Sequence, residues 1–140
     1  MDAVEKRVHE RWKRLGYDAL LAEEQGYIAA WWLVADVNNG GFHQYLTNNT
    51  ADGALIALEA LQQAGATETH QILEQALTLL NAVGGYSANR STREARIDTL
   101  PHGGAEFAAL DDRFYNRSDA PLARILLRVE GTYRDRGIVA

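Results

Sequence analysis

Residues 27–48 read YIAAWWLVADVNNGGFHQYLTN. Tyr27, Ile28, Trp31, Trp32, Leu33 and Val34 leave a helix over this run almost no polar face. A helix that is apolar all round belongs in the middle of a core. The reading is therefore a central helix near residues 20–37, beginning around Asp18. Asn39, Gly40 and Gly41 stop it, because Asn and Gly enter the left-handed region at little cost. A short helix from Phe42 to about Asn48 follows, with Phe42 and Tyr45 three positions apart and able to pack under the first.

The flanking sequence keeps the same period. Val4, Val8, Trp12 and Leu15 form one stripe of a first helix that ends near Gly16. After the Gly-Gly break, Asp52 or Thr50 is placed to cap a helix carrying Leu55, Leu58 and Leu61 and stopping at Gly65. Thr67 is placed to cap the next, with Ile72, Leu73, Ala76, Leu77, Leu80 and Val83 inward. Ser91 and Glu94 have capping-box spacing. Phe107, Leu110 and Phe114 mark a further helix. Asp119 before Pro121 marks the start of the last, with Leu122, Ile125, Leu126, Val129 and Tyr133 as its stripe. No segment alternates with period two for long enough to make a strand. The expected architecture is all-α, a compact bundle of about six to eight helices in one domain over residues 1–140.

Composition narrows the function classes. The chain has 140 residues and no cysteine, which removes disulfides, thiolate metal sites and Cys nucleophiles. The charged N-terminus lacks the apolar core of a signal peptide. The apolar run from Tyr27 to Ala35 is shorter than the roughly 20 residues a bilayer requires. A cytoplasmic location is expected. The net charge of −5 hides a strong asymmetry. Residues 15–89 contain no Lys or Arg, yet carry Asp18, Glu23, Glu24, Asp36, Asp52, Glu59, Glu68 and Glu74. That balance argues against a nucleic-acid binder, which requires a basic stripe, and favours a cationic partner.

Catalytic constellations are absent from the pattern. His9, His43, His70 and His102 are scattered, and His102 with Glu106 makes one i, i+4 pair where a metal site requires more. Asp111 and Asp112 adjoin, so on a helix they point about 100° apart. No G-x-S-x-G, G-x-G-x-x-G or G-K-[ST] context occurs. No enzyme, cofactor or metal is expected. Two readings of the Asn-Gly-Gly-Phe block remain: a helix-terminal hinge, or a polar site of Asn38, Asn39, His43, Gln44 and Asn48 around a small ligand.

The block also resembles the signature of a bacterial all-α family catalogued as a domain of unknown function, which includes a DNA-mimic protein. The pattern V-x-N-G-G-F-x-Q-Y-x-x-N maps onto Val37, Asn39, Gly40, Gly41, Phe42, Gln44, Tyr45 and Asn48, with Gly65-Ala66 following. A second block maps onto Leu110, Asp111, Phe114 and Tyr115. The similarity runs over roughly residues 20–130. It implies an all-helical fold and action by protein contact: carboxylates stand where a DNA-binding protein expects phosphates. The expected partner is a basic protein such as a DNA-binding regulator, met by a monomer or a homodimer. An inhibitor or immunity-type role toward another basic protein is the rival within that class.

Overall fold

A computed structural model describes residues 2–140. Seven α-helices follow in order: α1 (Ala3–Leu15), α2 (Ala22–Thr47), α3 (Ala54–Gln63), α4 (Thr67–Leu79), α5 (Arg90–Ile97), α6 (Ala108–Tyr115) and α7 (Pro121–Arg136). Short 3-10 turns lie at Tyr17–Ala19, Asn49–Gly53, Leu80–Val83 and Ala105–Phe107. Among the described residues there is no strand.

α2 is the central element, packing on α3, α5, α6 and α7. Tyr27, Ile28, Leu33, Val37, Phe42 and Tyr45 are all fully buried along it. Trp31, Trp32 and Val34 are only partly buried at the edge of the core. There Trp12 of α1 meets both tryptophans edge-on, at centroid distances of 6.1 and 5.5 Å. α2 begins at Ala22 rather than near Asp18. Leu20 and Leu21 are extended, and the Glu24 carboxylate accepts the Leu21 N–H at 2.9 Å. Capping by a Glu two to three residues inside the helix sets this start.

α3 corrects the expected stripe. Its core face is Ala54, Ala57, Ala60 and Leu61, while Leu55 is 56% exposed and Ile56 40%. The cause is the close approach of α2: a Cβ placed on Gly26 would lie 2.8 Å from Ala60 Cβ. Only small side chains fit between the two helices, so the large ones turn outward. Leu15, at the end of the α1 stripe, is likewise exposed.

The helix starts depart from the expected local caps, and one of them uses a distant carboxylate. The Asp119 carboxylate accepts Thr69 N–H at 2.8 Å and the Thr69 hydroxyl at 2.7 Å, so it caps α4 rather than α7. α7 starts on Pro121 after Ala120, which holds a left-handed conformation. α4 has no side-chain cap from its own N-cap residue, Ala66, nor does α3 from Gly53. Thr67 is thus the first helical residue and not a cap. Asp52 instead pairs with Arg93 at 2.8 Å, and the Thr50 hydroxyl donates to Asp36. α5 is capped by Asn89, which accepts Thr92 N–H at 2.9 Å, and not by Ser91. Asparagine two residues earlier holds the acceptor role that Ser91 was expected to fill. Among the described residues, no helix is long and apolar enough to cross a membrane.

Candidate functional site

The two motif blocks quoted above meet in space. Gly40 and Gly41 depart from helical geometry and bend α2, with Gly41 at φ +77°. The bend frees the Phe42 N–H, which donates to Asp111 Oδ1 at 2.8 Å, a contact between residues 69 apart in sequence. Tyr115 donates its hydroxyl to the Val37 carbonyl at 3.0 Å. The Phe42 ring meets Phe114 edge-on at 5.7 Å and tilts against Phe107 at 6.5 Å. α6 is therefore clamped across the bend from both sides. Burial raises the Asp111 carboxyl above its ordinary range, with Phe42 N–H and His43 pulling the other way and Asp112 adding to the rise.

The amide cluster is tied to itself. Asn39 Nδ2 donates to Gln44 Oε1 at 3.3 Å, Gln44 Nε2 to Asp36 Oδ1 at 3.5 Å, and Asn48 Nδ2 to Asp36 Oδ2 at 3.4 Å. With the Thr50 hydroxyl added, Asp36 is the hub that ties the two arms of α2 together. Asn38 and His43 are exposed, and the His43 ring lies against Gly104. The geometry is that of a braced hinge: Asn39, Gln44 and Asn48 are engaged with one another and with Asp36, while Asn38 and His43 stand outside that network. Glu106 accepts the His102 and Gly104 N–H groups at 2.9 and 3.1 Å, so it braces a loop. Among the described residues no cluster of three or more His, Asp or Glu side chains is placed to hold a metal ion.

The glycine at the bend is directly testable. A Cβ on Gly41 would sit 2.5 Å from Asp111 Oδ2, in a backbone conformation that L residues rarely adopt. Gly41→Ala is expected to cost about 2–3 kcal/mol, from left-handed strain plus a weakened cap. A Cβ on Gly40 would meet the Gln44 side chain from its Oε1 to its Cβ at 3.0 Å, but the position has no positive φ, so Gly40→Ala is expected to cost less. Chemical denaturation of the two variants checks the order.

The acidic residues of 15–89 separate into different environments. Glu24 is fully buried, so it leaves the surface set. Its carboxylate accepts Arg11 Nε at 2.7 Å, Arg11 Nη2 at 3.2 Å and the Tyr133 hydroxyl, locking α1, α2 and α7 together. A carboxylate in the first turn of a helix gives no local sign that a distant arginine and tyrosine will enclose it. Asp36 serves the hinge, Asp52 is ion-paired, and Glu68 accepts the Ser118 N–H at 3.3 Å. Asp18, Glu59 and Glu74 are exposed and Glu23 is half-buried. None of these four has an ion-pair partner among the described residues.

Three of the four frame α3. Glu23 and Glu59 line a groove of about 270 Å³ between the start of α2, α3 and α7, with Ile56, Ala60 and Ile125 as apolar wall and Arg128 at its margin. Glu74 lies across α3, in a shallower groove with Leu55, Leu58 and Tyr86. The exposed face of α3 is thus an apolar ridge, Leu55 and Ile56, with carboxylates on both flanks. Sequence periodicity alone assigned Leu55 to the core and so missed the ridge. It also missed Arg93, whose only local sign is a charge four residues before Ile97, at an inward position of α5.

No curated protein and no solved structure matches the chain. A family model, the DMP19-like protein, matches residues 18–129. That span takes in the bend, the α6 clamp and residues 18–89 of the stretch without Lys or Arg. The chain belongs to the DMP19-like protein family, the family with a DNA-mimic member that its motif blocks resemble.

Proposed function

We propose that the protein is a binding module that presents Glu23, Glu59 and Glu74 to a basic DNA-binding protein, in place of backbone phosphates. The observation that supports it most is the α3 face, where three carboxylates without counter-ions flank an exposed apolar ridge. Family membership points the same way.

Charge density sets the character of the contact. A 30 Å length of duplex carries roughly 18 phosphate charges. The α3 face offers only a few, so Leu55 and Ile56 must supply part of the affinity, as the apolar centre of an interface does. DNA also releases about 0.9 condensed counterions per phosphate contacted, a term that scattered carboxylates lack. Binding is therefore expected to weaken less steeply with salt than the partner's own binding to DNA.

A pull-down from lysate with stepwise salt elution tests the proposal. Capture of a DNA-binding protein that duplex DNA competes off is the supporting outcome. The triple variant Glu23→Gln, Glu59→Gln, Glu74→Gln is then expected to bind about 10- to 100-fold more weakly, at up to about 1 kcal/mol per exposed charge pair. A partner indifferent to added DNA, and without DNA affinity of its own, would overturn mimicry and establish the inhibitor role instead.

A further inference from the structure

The groove between α2, α3 and α7 has the dimensions and chemistry of a seat for one side chain. We propose that it receives a single arginine of the basic partner, with the guanidinium at Glu23 and Glu59 and the stem against Ile56, Ala60 and Ile125. The inference deepens the reading of this face as a carboxylate-presenting surface and rests on it.

Size comes first. At about 270 Å³ the groove falls below the roughly 300–1,000 Å³ of sites that enclose a small-molecule ligand, which suits one long side chain. Its floor cannot collapse, because Gly26 and Ala60 already touch where α2 crosses α3. Charge comes second. Glu23 and Glu59 have no ion-pair partner, although Arg128 lies at the same groove. Arg128 Nη1 instead donates to the Gln63 carbonyl at 3.3 Å, at the negative C-terminal end of α3. Gln63 Nε2 donates to Glu59 Oε1 at 3.1 Å, so the resident groups leave the Glu23 carboxylate and the second Glu59 oxygen for a ligand, and Arg128, by its like charge, admits one further cation rather than several. Chemistry comes third. Arginine joins an apolar stem to a planar, weakly hydrated head, so it pairs with carboxylates beside an apolar wall at a lower desolvation cost than lysine.

The test is amide-resolved NMR of the full chain titrated with N-acetyl-arginine amide, N-acetyl-lysine amide and the uncharged isostere N-acetyl-citrulline amide. Saturable shifts at Ala22, Gly26 and Ala60 are expected for the arginine compound, with Kd on the order of millimolar. The lysine compound is expected to bind more weakly and the citrulline compound not at all. Glu23→Gln with Glu59→Gln is expected to weaken arginine binding about tenfold, and Arg128→Gln to tighten it about threefold. Shifts of equal size from citrulline, no loss in the double variant, or weaker binding in Arg128→Gln would overturn the seat. A seat that holds while no DNA-competed partner is captured overturns the mimic reading alone. A captured partner that is lost with Glu74→Gln but indifferent to Glu23→Gln and Glu59→Gln overturns the seat alone.

Discussion

Arg93→Met is expected to lower the melting temperature by about 10–20 °C. Arg93 is the largest fully buried side chain in the protein. Its Nε donates to the Leu46 carbonyl at 2.9 Å, Nη2 to the Asn48 carbonyl at 2.7 Å, and Nη1 to the Ser87 carbonyl at 2.9 Å and to Asp52 Oδ1 at 2.8 Å. One guanidinium thus satisfies the C-terminal end of α2 and the loop before α5, with the Tyr86 ring 5.8 Å from its centre. Methionine would fill much of the stem volume but leave three carbonyls without their donor, at about 1–3 kcal/mol for each one kept from water. At the lower end of that range the three carbonyls together cost about 3–5 kcal/mol, and a chain of this size moves roughly 3–5 °C per kcal/mol. Asp52 is half-exposed, so Asp52→Asn is expected to cost less than about 1 kcal/mol. The contrast separates carbonyl bracing from the ion pair. Melts followed by circular dichroism, with both variants within about 3 °C of the parent, would sink this account of Arg93.

Glu24→Ala is expected to cost a comparable 3–5 kcal/mol, because Arg11 and the Tyr133 hydroxyl lose the buried acceptor that joins α1, α2 and α7. The milder Glu24→Gln exposes a pH signature. Burial pushes the Glu24 carboxyl up, but hydrogen bonds from Arg11, Tyr133 and Leu21 N–H together outweigh it and hold it below the ordinary 4.5. A depressed folded value means that the folded state binds fewer protons than the unfolded chain near that pH. The stabilisation is therefore present above about pH 4.5 and is lost as pH falls through the folded value. The stability gap between the parent and Glu24→Gln should narrow on acidification. A gap that stays constant from pH 7 to pH 3 in urea titrations would show that Glu24 acts through shape and not through charge. Because Glu24 holds the fold, its neutralisation does not belong in any test of the acidic surface.

Two separations govern what could be read in advance. The central helix, an interruption at Gly40-Gly41 (read as a stop between two helices, where α2 continues across a bend) and the stripes of α4 and α7 were legible because they depend on neighbours within four residues. Periodicity and glycine's access to positive φ are properties of the local chain. The caps were not legible in the same way. Asp119 to Thr69 and Asp111 to Phe42 span 50 and 69 residues, and which carboxylate reaches a free N–H depends on how the helices pack.

The α3 face shows the same division at the candidate site. The absence of Lys and Arg over residues 15–89 was plain, as was the identity of each acid. Sequence by itself determined an all-helical chain, interrupted at Gly40-Gly41, with an acidic middle. Tertiary packing decided which acids meet solvent. It buried Glu24 under Arg11 and Tyr133, gave Asp36 to the hinge, and turned Leu55 and Ile56 outward because Gly26 and Ala60 leave no room for larger side chains between α2 and α3. A charge becomes a surface or a brace according to the partners that packing brings to it, and those partners lie too far along the chain for any local pattern to record them.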